Sequence, residues 1–171
     1  MLSRTTTFLA LAASTLVITS TQAQFSVGYE LLASGNRPHA SSVCLSATSN
    51  NDGARASFEL CVDEVHKGNI TWDMPDSGIT GQIKTFNGEK CLDVPDGDAS
   101  NGNLLQVWSC SEGNPNQLWD IGGAVDGQWL ITWAGRNKCV DVKDGNYNVG
   151  GDLQIWDCDA TNRNQWWWRT T

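Results

Sequence analysis

The chain has 171 residues, a formal net charge of −8, 17 Gly and 9 Trp, and only 18% charged residues. That length suits one domain. The low charge content excludes a long-helix or coiled-coil protein, and 40% hydrophobic residues exclude a disordered chain. An acidic chain also has no electrostatic reason to bind nucleic acid or an anionic membrane surface.

Residues 1–23, MLSRTTTFLALAASTLVITSTQA, read as a secretory signal peptide that is removed. Arg4 precedes an apolar stretch from Phe8 to Ile18, and Thr21-Gln22-Ala23 fits a small-x-small cleavage site. The stretch is about 11 residues long, too short to span a bilayer. The expected mature domain is therefore 24–171, secreted to the extracellular space, with no membrane insertion. Export decides how the cysteines are read. Six of them, Cys44, Cys61, Cys91, Cys110, Cys139 and Cys158, all lie in the mature chain. An even number in an exported chain favours disulfides over zinc or a free thiol.

The mature chain repeats itself. Cys91-Leu92-Asp93-Val94 matches Cys139-Val140-Asp141-Val142, and Leu105-Gln106-Val107-Trp108-Ser109-Cys110 matches Leu153-Gln154-Ile155-Trp156-Asp157-Cys158. Asn116-Gln117-Leu118-Trp119 matches Asn164-Gln165-Trp166-Trp167 at the same 48-residue offset. A worn copy precedes them, with Cys44 and Trp72 each 47 residues before Cys91 and Trp119. The three copies are placed at about 24–77, 78–122 and 123–171. Each shows short alternating runs between Gly, Asn and Asp turns, and none shows sustained helical periodicity. In the second copy the expected strands are about 82–86, 90–94, 104–110 and 117–121, which makes four per copy and twelve in all. One copy cannot bury its own apolar face, so the three share a core in a closed, barrel-like all-β domain with approximate threefold symmetry. The equal cysteine spacing suggests pairing within copies: Cys44–Cys61, Cys91–Cys110 and Cys139–Cys158. Each closed loop would contribute about 3 kcal/mol.

Strand alternation sorts the side chains. Leu92, Val94, Leu105 and Val107 face the core, as do Val140, Val142, Leu153 and Ile155. Asp93, Gln106 and Trp108, and likewise Asp141, Gln154 and Trp156, fall on the other face beside a disulfide. A Trp held away from the core either forms a ligand platform or shields the disulfide. An indole beside a carboxylate and an amide suits a sugar, whose C–H face packs on the ring while its hydroxyls bond the polar groups. In the first copy the matching positions hold Ser46, Ser57 and Glu59, with Leu45, Ala47, Phe58 and Leu60 expected in the core. This copy is read as structural only. The recurrent Trp72, Trp119 and Trp167 are assigned to the core, with Ile70 standing where the other copies have Gln117 and Gln165. Asp96-Gly97 and Asp144-Gly145 read as turns.

At these residues the chain resembles the ricin B-type lectin family, through the Q-x-W elements at Gln117-Leu118-Trp119 and Gln165-Trp166-Trp167, the C-[LV]-D-V segments and the Q-[VI]-W-x-C segments. The resemblance covers residues 29–169. It implies a β-trefoil with one disulfide per repeat, no cofactor and glycan partners such as galactose, N-acetylgalactosamine or xylan-type sugars. The implied carbohydrate-binding residues are Asp93, Gln106, Trp108, Asn116 and Gln117 in the second copy, and Asp141, Gln154, Trp156, Asn164 and Gln165 in the third. Spacing alone assigns the two Q-x-W glutamines a structural role rather than a ligand contact.

No catalytic or metal site is expected. His39 and His66 lie in the worn copy or its leader, no nucleophile or zinc motif appears, and the recurring acids repeat with the fold. The alternative function is a β-trefoil interaction protein, such as a protease inhibitor acting through the irregular loop 34–42. Asn69-Ile70-Thr71 is an N-glycosylation sequon.

Overall fold

The structure, a computed structural model, describes residues 29–33, 43–61, 67–125 and 128–170. The signal-peptide segment, His39, His66 and the loop 34–42 lie outside the described residues. Twelve strands follow in order. They are β1 (Tyr29–Ala33), β2 (Val43–Ala47), β3 (Ala54–Leu60), β4 (Thr71–Trp72), β5 (Lys84–Thr85), β6 (Lys90–Asp93), β7 (Gln106–Ser109), β8 (Trp119–Val125), β9 (Gln128–Trp133), β10 (Lys138–Val142), β11 (Leu153–Asp157) and β12 (Trp167–Thr170).

Six of them close into a ring. β1 pairs with β4 and β12, β12 with β9, and β9 with β8, all antiparallel. Two shorter links complete it. Asp73, next to β4, exchanges both backbone bonds with Lys84 of β5, and Gly81, before β5, exchanges both with Trp119 of β8. The other six strands form three hairpins, β2–β3, β6–β7 and β10–β11. These join one another in a triangle through Ala54 with Val107, Leu104 with Gln154, and Ser57 with Asp152. A six-stranded barrel capped by three hairpins is a β-trefoil, and closure leaves the barrel no open edge.

The core is the interior of this ring and cap. Leu92, Val94, Val107, Val140, Val142, Leu153 and Ile155 are fully buried, and Leu105 nearly so, which matches their alternation. Trp72, Trp119 and Trp167 sit at the centre. Each indole Nε1 donates to a backbone carbonyl in its own repeat: Leu45 O at 2.9 Å, Leu92 O at 3.0 Å and Val140 O at 3.1 Å. A buried indole keeps its polar atom satisfied in this way. The disulfides are Cys44–Cys61, Cys91–Cys110 and Cys139–Cys158, with Cα–Cα separations of 5.1, 5.0 and 5.0 Å.

Four details differ from the sequence reading. The strand expected over 82–86 is only Lys84–Thr85, because the chain there switches partners, from Trp119 at Gly81 to Asp73 at Lys84. The strand expected over 104–110 is Gln106–Ser109, because Leu104 leaves its own hairpin to bridge Gln154. The strand expected over 117–121 is Trp119–Val125, because Gln117 ends the 3-10 turn Pro115–Gln117. A helical turn at Lys67–Ile70 lies where no helix was expected. Leu60 is a correction of another kind. It alternates in phase with Phe58 yet is 39% exposed, because it lies at the outer end of β3, level with exposed Ser109 and Asp157 of the other hairpins.

Trp119→Ala is expected to cost about 3–5 kcal/mol, read as a lower urea midpoint. Trp108→Ala should stay within about 0.5 kcal/mol of the parent. Equal losses at the two positions would contradict the division of faces.

Candidate carbohydrate site

The register of each cap hairpin brings the non-core residues together. In β6–β7, Asp93 stands opposite Gln106 and Cys91 opposite Trp108. In β10–β11, Asp141 stands opposite Gln154 and Cys139 opposite Trp156. Directly opposed residues place their Cβ atoms about 5 Å apart, so carboxylate, amide and indole share one face. The two indoles are among the few large exposed apolar groups, Trp108 at 44% and Trp156 at 42%, whereas Asp93 and Asp141 are buried at 4% and 3%. Each site is therefore a carboxylate floor with an open indole wall.

The floor is held by amides. Gln106 Nε2 donates to Asp93 Oδ1 at 2.8 Å, and Gln154 Nε2 to Asp141 Oδ1 at 2.9 Å. With its nitrogen so used, each glutamine keeps Oε1 as its remaining acceptor. Gln117 and Gln165 are completely buried. Gln165 donates to Asp141 Oδ2 at 3.1 Å and to Asp157 O at 3.0 Å, while its Oε1 accepts from Asp159 N at 2.9 Å. Gln117 donates to Ser109 O and accepts from Ser111 N and Gln82 Nε2. These two glutamines are built into the wall behind the carboxylate.

The third wall is the Asn of the Q-x-W element. Asn116 and Asn164 follow Asn114 and Asn162, whose side chains accept from their backbone N–H at 3.1 and 3.0 Å. Facing them are the Asp96-Gly97 and Asp144-Gly145 turns, as expected, with left-handed φ of 57° and 63° and of 55° and 64°. A Cβ on Gly97 would lie 2.9 Å from Asn116 Oδ1, so glycine is required both by the turn and by the packing of that amide.

Several contributors were missed by the sequence reading. Asn162 Nδ2 donates to Asp141 Oδ2 at 3.0 Å, and the Tyr147 hydroxyl donates to Asn164 Oδ1 at 2.8 Å. The preceding hairpin also closes each site. Gly53 lies beside Gln106 and Trp108, and Gly102 beside Gln154 and Trp156. Lysine clamps fix these hairpins. Lys90 Nζ is 2.5 Å from Asp52 and 3.0 Å from Ser109 Oγ, and Lys138 Nζ is 2.5 Å from Asp157 and 2.7 Å from Asn101 Oδ1. The clamps were legible only as a lysine recurring at positions 90 and 138.

The first copy is closed. Ser46 stands opposite Ser57 and Cys44 opposite Glu59, so neither carboxylate floor nor indole is present. Asn69 occupies the place of Asn116 and Asn164, and its Nδ2 turns inward to Ser46 Oγ at 3.3 Å and Ala47 O at 3.1 Å. That nitrogen is the atom a sequon glycan would be attached to, and attachment replaces one of its two hydrogens, so at least one of these bonds must be given up.

Electrostatics distinguish buried Asp93 from exposed Asp52. Burial pushes Asp93 up from its ordinary value, against the hydrogen bonds from Gln106 and Gln117 that favour the ionised form. Asp52 is held down chiefly by its hydrogen bond from Lys90. The linkage signs are opposite. Asp93 favours folding fully only below its unfolded value of 3.8, and this contribution is lost as pH rises through the higher folded value. Asp52 favours folding above 3.8, and its contribution is lost as pH falls through the lower folded value. A carboxyl-carbon NMR titration is expected to give Asp93 a midpoint above 3.8 and Asp52 one below it. The reverse order would contradict the placement of Asp93 in the floor.

A threefold β-trefoil with two matched sets of exposed indole, buried carboxylate and amides has the architecture of a lectin domain. The ricin-type β-trefoil lectin domain matches residues 35–167, and the chain belongs to that family. Among solved structures, the designed threefold-symmetric protein ThreeFoil is similar at a TM-score of 0.70 and 23% identity, covering 84% of this chain and 98% of its own. The Polyporus squamosus lectin, solved bound to the human-type influenza-binding epitope Neu5Acα2-6Galβ1-4GlcNAc, is similar at a TM-score of 0.64 and 19% identity, over 83% of this chain and 48% of its own. An exo-β-1,3-galactanase from Clostridium thermocellum matches at a TM-score of 0.68 and 25% identity, over 84% of this chain and 30% of its own. The chain thus spans less than half of each of the latter two proteins.

Proposed function

We propose that the protein is a secreted lectin with two sugar sites, one in the second repeat and one in the third, and none in the first. One observation carries this reading. Trp108 and Trp156, 44% and 42% exposed, stand on the non-core face beside buried Asp93 and Asp141 in two copies of the same arrangement. Disulfide shielding alone would not require the carboxylate and amides that accompany each indole.

The chemistry of each group follows from its bonds. The indole takes the C–H face of a pyranose. Asp93 or Asp141 accepts sugar hydroxyls with the acceptor directions its amide donors leave unused, out of about four on a carboxylate. Gln106 and Gln154 accept through Oε1, Asn164 donates through Nδ2, and Asn116 offers its amide. Gln117 and Gln165 hold the carboxylates and do not touch the sugar. Binding rather than catalysis is the proposed activity, because each buried carboxylate is engaged by amide donors. A shallow site of this size suits a dissociation constant of about 10⁻³ to 10⁻⁴ M, with avidity on dense glycans from two sites on one rigid body. The Polyporus squamosus lectin, solved bound to a galactose-containing epitope, supports galactose-type partners, with N-acetylgalactosamine and xylan-type sugars as the other candidates.

A glycan array with the oxidised mature protein is the test. Binding to a defined glycan class is expected, Trp108→Ala and Trp156→Ala should each remove one site, and the double variant should be silent while folded. Undiminished binding by the folded double variant would overturn the proposal.

A further inference from the structure

The two sites share a motif, yet their Asn walls are chemically different. In the third repeat the Tyr147 hydroxyl lies 2.8 Å from Asn164 Oδ1 and 3.4 Å from Arg163 O. Its single proton goes to the nearer acceptor. This bond turns the amide so that its carbonyl points at the tyrosine, and Nδ2 is the group left for a ligand. The tyrosine ring is itself seated, 6.3 Å between centroids from Phe58 of the first repeat. Burial pushes its phenol further above its ordinary value, so the hydroxyl keeps its proton through the neutral range.

The second site has no such lock. The position matching Tyr147 is Ala99, which packs against the core and carries no donor. Among the described residues no side chain donates to Asn116 Oδ1, and its amide packs on Gly97. It can rotate its amide by half a turn and present either an acceptor or a donor.

Taking the sugar-binding reading as its basis, we infer that Tyr147 is a specificity-determining positioning residue, which locks Asn164 as a donor so that the third site requires an acceptor oxygen on the sugar at that point, while the second site, with Ala99, accepts either polarity. The two sites therefore select different saccharides. Phe58 links the eroded first repeat to this selection, since it supports the tyrosine from below.

The test is an NMR titration of the full mature protein, labelled with ¹⁵N, with lactose, N-acetylgalactosamine and xylobiose in turn. The indole N–H signals of Trp108 and Trp156 report the two sites separately. Tyr147→Phe keeps the ring on Phe58 and removes only the hydroxyl. It is expected to shift the Asn164 side-chain amide signals in the free protein. It should also weaken the Trp156 isotherm about fivefold and narrow the difference in sugar preference between the two sites, leaving the Trp108 isotherm unchanged. Ala99→Tyr should move the preference of the Trp108 site toward that of the Trp156 site. An unmoved Asn164 amide, or a Trp156 isotherm within twofold of the parent in Tyr147→Phe, overturns the inference while the sugar-binding reading stands. Silence of both indoles in the parent protein with all three sugars overturns that reading, and the inference falls with it.

Discussion

Each repeat is closed by one hydrogen bond, from a buried indole on its last strand to a backbone carbonyl on its second. Trp72, Trp119 and Trp167 make this bond to Leu45, Leu92 and Val140. The rest follows from it. The bond fixes which side of the second strand faces inward, and the aliphatic residues at Leu92, Val94, Val140 and Val142 take that side. The strand period of two then puts Asp93 and Asp141 on the opposite side, beside the disulfide and the exposed indole. A binding face is thus a by-product of closing the core, and three copies of the core offer three places to build one.

Two of those places carry a carboxylate because a second set of residues holds it there. A nearly buried carboxylate needs hydrogen bonds to remain in place, and the glutamines supply them from fully buried positions. The first copy has Ile70 where those glutamines stand, and with it Ser46 instead of a carboxylate. Loss of the donor and loss of the charge go together, as they must if neither is tolerable without the other. The junctions between repeats follow the same division. Lys90 and Lys138 clamp the hairpins that flank the two indoles, taking their carboxylate once from the preceding repeat, at Asp52, and once from their own, at Asp157. The corresponding positions at the remaining junction hold apolar Val43, Leu60 and Val149, and no indole stands there to be framed.

What repeats in the chain could be read from it. The three copies, the cysteine pairing, the core alternation and the central tryptophans all recur at a fixed period, and physical alternation turns that period into faces. What occurs once, or between copies, could not. Tyr147 has alanine as its counterpart, so no repeat marks it, and the bond from Asn162 to Asp141 depends on a side-chain direction that spacing does not set. Leu60 misled the alternation because a strand period says nothing about where the strand leaves the core, although Ser109 and Asp157 at the same place in the other copies mark that rim. The glutamines of Q-x-W stood between these cases. Spacing gives them a structural role and the resemblance gives them a place in the site, and their complete burial favours holding a carboxylate over touching a sugar.

The central claim is that two of three topologically equivalent places bind sugar. Equilibrium dialysis against a radiolabelled form of the saccharide found on the array counts the occupied places directly. The account predicts saturation at two moles of sugar per mole of chain. Saturation at three would contradict the closure of the first repeat, and saturation at one or none would contradict the site built around Asp93, the site built around Asp141, or both.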